Sequence, residues 1–301
     1  MNRYERLIKQ AKCGDVILMD GATGTEVARR GVKQLKNAWI AGGALSNPDI
    51  VQTIHEDYIN CDAKIITSNT FATSKHALKD AGVIHNFSTL NDAGVKLCIE
   101  ARNKLAKNDV LVAGGISYWP WADEIKNLCE LSDSIVEQAS IMATAGADLL
   151  MLEMMVDIEK MMITFNAAKT AGLPVWVGLT CEPNSSGVMC LREGDELSKA
   201  LDVLIPMKPD VILIMHTEVE HILPLVKITQ SHWTGLLGVY AHSGTMDWSD
   251  GIMKNNISPE KYRAFAEKWK DAGVNFIGGC CGIGVDHMTL LSDTIHEPWS
   301  R

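Results

Sequence analysis

No stretch of the chain reaches the about 18 consecutive apolar residues that a membrane-crossing helix needs, so no membrane span is expected. An excess of positive charge is missing too. Lys and Arg number 28 against 37 Asp and Glu, a formal net charge of −9. That argues against nucleic acid as the main partner, because phosphate recognition needs a basic face. Met1 to Lys12 is charged and has no apolar centre of the kind an export signal carries, so a cytoplasmic protein is expected. Without such a signal, the eight cysteines read as mostly reduced thiols rather than a disulfide framework. No low-complexity tract, charge block or Pro/Ser-rich linker interrupts the sequence, which favours one continuous domain over residues 1–301. Nucleotide signatures are weak. The turn Asp20-Gly21-Ala22-Thr23-Gly24-Thr25 is glycine-rich, but it does not match G-x-G-x-x-G and lacks the lysine of a phosphate loop.

What is present is a rhythm. Eight apolar runs of strand length recur: 16–19, 63–67, 110–113, 148–152, 175–179, 211–215, 236–240 and 274–277. Near-continuous apolar strands are typical of a parallel sheet covered on both faces. The spacers read as helices with marked ends. Ser258-Pro259 supplies an N-cap and a first-turn proline, followed by Tyr262, Phe265, Ala266 and Trp269 on one face and a stop at Gly273. Asp157 caps a helix that stops at Gly172. Ser134 and Glu137 fit a capping box before a helix ending at Gly146, and Asn47-Pro48 opens another. Strands alternating with helices at this length predict an α/β fold, a (β/α)8 TIM barrel of a single domain. A doubly wound open sheet is the competing architecture.

A barrel of this kind puts its active site at the carboxyl ends of the strands. Those ends carry Asp20, then Thr67-Ser68-Asn69-Thr70, Glu153, Thr180-Cys181-Glu182, His216, Tyr240-Ala241-His242 and Cys280-Cys281. Only the third, Gly114-Gly115-Ile116-Ser117, looks plain. The eighth is the most informative. In Gly278-Gly279-Cys280-Cys281-Gly282 two adjacent thiols follow a strand, where neighbouring side chains would point to opposite faces. Glycine at 278, 279 and 282 lets the backbone leave strand geometry through positive φ and aim both sulfurs at one point. A vicinal disulfide and a pair of small buried residues are the plainer readings. With His216 as an imidazole ligand, Cys280 and Cys281 make a soft donor set suited to Zn2+ with an open position. Cys181 and His242 are reserves. Cys13, Cys61, Cys98 and Cys129 read as structural. Asp20 and Glu153 suit a cationic substrate group, or, for Asp20 in particular, the capping of loop amides.

Taken together, Asp20-Gly21-Ala22-Thr23-Gly24-Thr25-Glu26, Thr67-Ser68-Asn69-Thr70-Phe71, Glu153, Tyr240-Ala241-His242-Ser243-Gly244 and Gly278-Gly279-Cys280-Cys281-Gly282 resemble the homocysteine S-methyltransferase family over nearly the whole chain. The family fold is a (β/α)8 barrel. The resemblance implies a zinc-dependent methyltransferase that moves a methyl group from a sulfonium, quaternary ammonium or corrinoid donor to homocysteine or a related thiol, as in methionine biosynthesis. It implies zinc bound by three cysteines. Two match Cys280 and Cys281, and the third falls where this sequence has His216. By the same resemblance Glu153 and Asp20 hold the amino acid's ammonium and Ser68 or nearby backbone its carboxylate; Gly21 and Asn69 are further substrate-binding candidates, and Trp39 and Tyr240 are candidates for binding the donor. Where betaine-using relatives have a tyrosine, this sequence has Ala72. Partners are expected to be a small-molecule thiol and a methyl donor. A homo-oligomer is left open, and so is a separate corrinoid protein, since the sequence contains no cobalamin-binding module. Two other readings stay open: a hydrolase in which zinc activates water, and a non-catalytic or altered-specificity relative with a changed metal site.

Overall fold

Eight parallel strands close on themselves in the computed structural model, which describes residues 1–35, 38–120, 125–247 and 252–295. They are β1 (Ile17–Leu18), β2 (Ile65–Thr67), β3 (Leu111–Ile116), β4 (Leu149–Met155), β5 (Val175–Leu179), β6 (Val211–Glu218), β7 (Leu237–His242) and β8 (Phe276–Gly279). Each lies beside its neighbour in sequence, β8 pairs with β1, and a parallel bridge from Met19 to Ile65 joins β1 to β2. All eight predicted runs become strands of the TIM barrel, with helices between them. Two short antiparallel hairpins, Cys181–Pro183 with Met189–Leu191 and Thr245–Asp247 with Ile252–Lys254, rise from the carboxyl ends of β5 and β7.

The helix ends follow from their caps. The Asp157 side chain accepts from the Lys160 amide at 2.8 Å, and Ser258 accepts from the Lys261 amide at 3.4 Å ahead of Pro259. Ser134 does not behave as expected. The helix begins at Leu128, where Asn127 caps the Glu130 amide at 3.2 Å, and Ser134 is buried inside it. Asn127 is an equally good cap about two turns earlier, and starting there brings Leu131 into the core. Gly146 ends that helix with φ of +104°.

Alternation along the strands divides the core in two. Ile65, Leu111, Leu149, Met151, Val211 and Leu213 point into the barrel, whereas Ile66, Val112, Leu150 and Ile212 pack outward among the helices. The inner cluster is densest at the amino ends of the strands. Trp176 is fully buried there, 4.6 Å from the Phe276 ring, and its indole donates to the Tyr4 hydroxyl at 3.1 Å. The helix Arg3–Lys12 adds Leu7 and Ala11 to this cluster and plugs that end. The cavity lined by the strand-end residues opens at the other end. Among the described residues no helix is long and apolar enough to cross a membrane.

Removing the plug's anchor tests this arrangement. Trp176→Ala is expected to destabilise the fold by about 3–5 kcal/mol in urea unfolding, the range for deleting a buried large aromatic. A loss below about 1 kcal/mol, typical of surface positions, would mean that the barrel bottom is not a packed core.

Candidate metal centre and active site

The thiol pair converges because the chain turns sharply after β8. The Cys280 amide donates to the Ala241 carbonyl at 2.8 Å, the Ser243 amide to the Cys281 carbonyl at 3.1 Å and the Ile283 amide to the Cys280 carbonyl at 3.0 Å. The three glycines do different work from that expected. Gly282 alone has a left-handed φ, +81°. Gly278 and Gly279 keep strand geometry and serve close approach. A Cβ on Gly278 would lie 2.7 Å from the Asp20 carbonyl oxygen and the Tyr240 ring, and one on Gly279 would lie 2.2 Å from Ile283.

The two sulfurs lie 4.0 Å apart as free thiols, so no bridge joins them. Nδ1 of His216 is 3.3 Å from Sγ of Cys280, and the ligand atoms of His216, Cys280 and Cys281 all fall within 4.8 Å of one another. His216 reaches this position from an irregular stretch of β6: its φ is +45°, and the register with β7 shifts between Met215 and Glu218. The thiols are electrostatically unequal. A hydrogen bond from the Cys280 thiol, followed by contact with His216, holds Cys281 well below the ordinary thiol range. Cys280 is pushed up by that same bond and by burial. Two soft sulfurs and an imidazole suit a borderline-soft metal such as zinc better than a hard cation. Cys181 does not join them. It is buried at the base of the hairpin after β5, paired with Leu191, and is not among the residues that line the cavity.

A cavity of about 390 Å³ opens beside the triad. Its wall includes Trp39, Ser68, Asn69, Glu153, Tyr240 and His242. Glu153 sits in a second irregular strand end, next to Met154 with φ of +61° and a register shift between Leu152 and Met155. One carboxylate oxygen of Glu153 is buried with no hydrogen-bond partner among the described residues. Burial, reinforced by the nearby Asp20 carboxylate, pushes its pKa up to about 8. The plain end of β3 is explained by this residue, since a Cβ on Gly115 would stand 2.1 Å from that oxygen.

Asp20 is fully buried and already committed. It accepts from the Thr67 amide at 2.6 Å, the Tyr240 hydroxyl at 2.7 Å and the Thr67 hydroxyl at 3.3 Å. Burial outweighs these bonds and pushes its pKa to about 7. Neither Asp20 nor Gly21 lines the cavity. Asp20 meets Tyr240 and Thr67 from behind the wall, and the Gly21 carbonyl takes the Tyr240 hydroxyl at 3.1 Å. Ser68 bonds Thr70 at 2.6 Å and accepts from the Gly115 amide at 3.1 Å, and Asn69 donates to the Ile40 carbonyl at 3.4 Å. The Trp39 ring lies over Gly24, where a Cβ would come within 2.3 Å of it.

Sequence reasoning gave His242 only a reserve role and missed Glu218 and Arg192. The His242 ring lies 4.5 Å from that of His216, and its Nε2 meets Glu218 at 2.9 Å. The β-bulge that brings Glu218 opposite His242 left no trace in the apolar pattern. Arg192 belongs to a turn with no periodicity, although a lone basic residue in the Pro183–Gly194 segment was the signal available.

The fold and this site define a TIM-barrel enzyme built around a thiol–imidazole cluster at the carboxyl ends of its strands. The homocysteine S-methyltransferase family model matches residues 17–295, and the chain belongs to that family; it is a thiol S-methyltransferase by class. Homocysteine S-methyltransferase 1 of Arabidopsis thaliana is 26% identical, covering 92% of this chain and 92% of its own. Betaine–homocysteine S-methyltransferase 1 of Xenopus laevis is 22% identical over 96% of this chain and 75% of its own. The solved structure of the Escherichia coli homocysteine methyltransferase MmuM in metallated form superposes with a TM-score of 0.78, at 21% identity, covering 93% of this chain and 96% of that one.

The buried carboxyl of Glu153 sets a pH dependence. A folded-state pKa raised from 4.5 to about 8 means that the folded chain keeps a proton which the unfolded chain releases. The stability it contributes is complete below the unfolded value and is lost as pH rises through about 8. The stability of ligand-free protein against urea should therefore fall more between those values for the native chain than for Glu153→Gln. Parallel pH profiles for the two proteins would refute this.

Proposed function

We propose that the chain transfers a methyl group to homocysteine or a related thiol from a sulfonium, quaternary ammonium or corrinoid donor, with Zn2+ held by His216, Cys280 and Cys281. The observation that carries this reading is the convergence of those three ligand atoms beside a cavity. Zinc bound there lowers the pKa of a coordinated thiol and fixes its sulfur, because the thiolate is the nucleophile.

The remaining roles fall to the chain's own side chains. Glu153 brings a desolvated carboxyl with a free oxygen to the cavity, and an incoming ammonium restores the missing partner and favours the ionised form. Asp20 holds Tyr240 and Thr67 in place from behind, so it orients the wall instead of touching the substrate. Gly21 leaves room for the Tyr58 ring, which a Cβ there would meet at 2.7 Å. Ser68 and Asn69 add polar groups on the side of β2 for the acceptor's polar end. Trp39 and Phe71 offer aromatic faces to a cationic methyl donor, and Tyr240 belongs to the same cavity wall. In the transfer the acceptor sulfur attacks the methyl carbon in line, the bond from methyl to the donor heteroatom breaks, and its electron pair leaves with that atom. The cavity's contribution is orientation.

His216 favours a shifted specificity. An imidazole in place of a third thiolate removes one negative charge from the metal's surroundings, so a substrate thiol there is more acidic and less nucleophilic. That suits a more reactive donor or a softer acceptor. One relative, 23% identical over 92% of this chain, is named selenocysteine Se-methyltransferase from Brassica oleracea var. italica.

Elemental analysis with a methyl-transfer assay decides the matter. Cys280→Ser and Cys281→Ser should each lose stoichiometric zinc and lower transfer by about 100-fold or more, since even groups behind the ligands cost 10–100-fold. His216→Cys should keep its zinc. Native protein that takes up no zinc yet transfers methyl groups at full rate would end this reading. Glu153→Gln should raise the KM of homocysteine by about 10–100-fold, as expected for losing one charge-assisted hydrogen bond. An unchanged KM would take Glu153 out of the acceptor site.

A further inference from the structure

Arg192 has no part in the roles above. It lines the same cavity, and it is the one lysine or arginine among the described lining residues, whose carboxylates are Glu153 and Glu218. Glu218 is engaged with His242 at 2.9 Å. Arg192 has no carboxylate partner among the described residues, although its side chain is exposed and long enough to find one. Instead its guanidinium carbon lies 5.1 Å from the centroid of Trp119, over the ring. Stacking of this kind holds a guanidinium in place while leaving its N–H edge free.

The backbone beneath it is equally fixed. The Arg192 amide donates to the Thr180 carbonyl at 3.1 Å, beyond the end of β5, and the next amide, of Glu193, donates to the Val156 carbonyl at 3.0 Å, beyond the end of β4. The preceding residue, Leu191, is fully buried. Arg192 therefore projects from a turn pinned to two strand ends. Trp119, which follows β3, supplies the platform. This is a preorganised cation at the cavity wall, and little side-chain freedom remains to be lost when an anion binds.

A guanidinium with a free edge matches a carboxylate, which it binds through two parallel hydrogen bonds. We propose that Arg192, held on Trp119, reads the carboxylate of an amino-acid-like substrate and makes the site selective for carboxylate-bearing substrates over their decarboxylated counterparts. This rests on the methyl-transfer reading of the site. Arg192, in the turn that follows the hairpin after β5, and the partnerless oxygen of Glu153, at the end of β4, then supply the cavity wall with a cation and a carboxyl. The carboxylate has two sources, the thiol acceptor and the methyl donor, and the chemistry that recognises it is the same for both.

Calorimetric binding to zinc-loaded protein tests the proposal with four probes: L-homocysteine, S-methylmethionine, and their decarboxylated counterparts mercaptopropylamine and aminopropyl-dimethylsulfonium. Arg192→Gln should weaken at least one of the two carboxylate probes about tenfold or more, the scale of a hydrogen bond to a charged group. Its decarboxylated counterpart should bind the variant and the native protein alike. Arg192→Lys, which keeps the charge but loses the fork and the stack, should fall between. A weakened homocysteine assigns the contact to the acceptor, and a weakened S-methylmethionine assigns it to the donor. Zinc content and thermal midpoint should not change, because the side chain is exposed. Equal binding of both carboxylate probes by variant and native protein overturns the inference, as does an equal weakening of the decarboxylated pair. Native protein that binds none of the four overturns the proposed function, and this inference with it.

Discussion

Everything at this site depends on two neighbouring sulfurs pointing to one place. In a regular strand they would diverge, and the chain prevents this by ending β8 at Gly279 and turning at once. The left-handed Gly282 and the hydrogen bonds to Ala241 and from Ser243 lock that turn against the end of β7. The imidazole of His216 completes the cluster only because its own backbone is left-handed, an arrangement that costs a non-glycine residue about 1–3 kcal/mol. Met154 and Trp39 share this conformation, and all three line the cavity. Strain of this kind persists only where surrounding structure over-determines it. Here the closed barrel and the plug around Trp176 supply that support from the opposite end.

Electrostatics at the cavity follows from the same geometry. The strands bring Asp20 and Glu153 close enough to raise each other's cost of ionisation, in a wall from which water is largely excluded. Asp20 is stabilised by three donors, whereas Glu153 is left with an oxygen that no described residue satisfies. An unsatisfied buried acceptor is costly to the fold. It is also the kind of cost that a ligand relieves, so the instability of the empty site and its affinity for a cation have one origin.

The barrel was legible because its signal is collective. Eight apolar runs at near-regular spacing specify a parallel sheet even though the helix start near Ser134 was misplaced, since Asn127 caps just as well and periodicity does not choose between them. The cluster of His216, Cys280 and Cys281 was legible because strand ends converge in this topology, so residues as distant as His216 and Cys280 fall on one rim. What the sequence hid was the local departure from strand geometry. Nothing in Leu152–Met155 or Met215–Glu218 announces a bulge, and a bulge decides which of several polar residues faces the cavity. Asp20 illustrates the limit from the other side. Its position after β1 was right, but whether it touches a substrate or a tyrosine depends on how closely Gly278 lets β7 and β8 approach, and that is a matter of packing.

The imidazole at position 216 changes the site's charge while preserving its convergence. A cysteine there would present a third thiolate to the metal, and nothing beyond it would need a polar partner. An imidazole has a second ring nitrogen, and it stands beside His242, which Glu218 holds at 2.9 Å. The sulfurs are thus continued outward by two rings and a carboxylate, in a direction that a site of three thiolates does not extend. Around a metal held as proposed, such an arrangement would spread charge away from it and leave a bound sulfur a weaker donor to carbon. On the proposed reading the balance would shift toward the methyl donor, whose own electrophilicity and placement against an aromatic wall of Trp39 and Phe71 would account for more of the barrier. On the function proposed above, discrimination among donors would rest on the aromatic wall and on the charges that frame it, more than on the nucleophile.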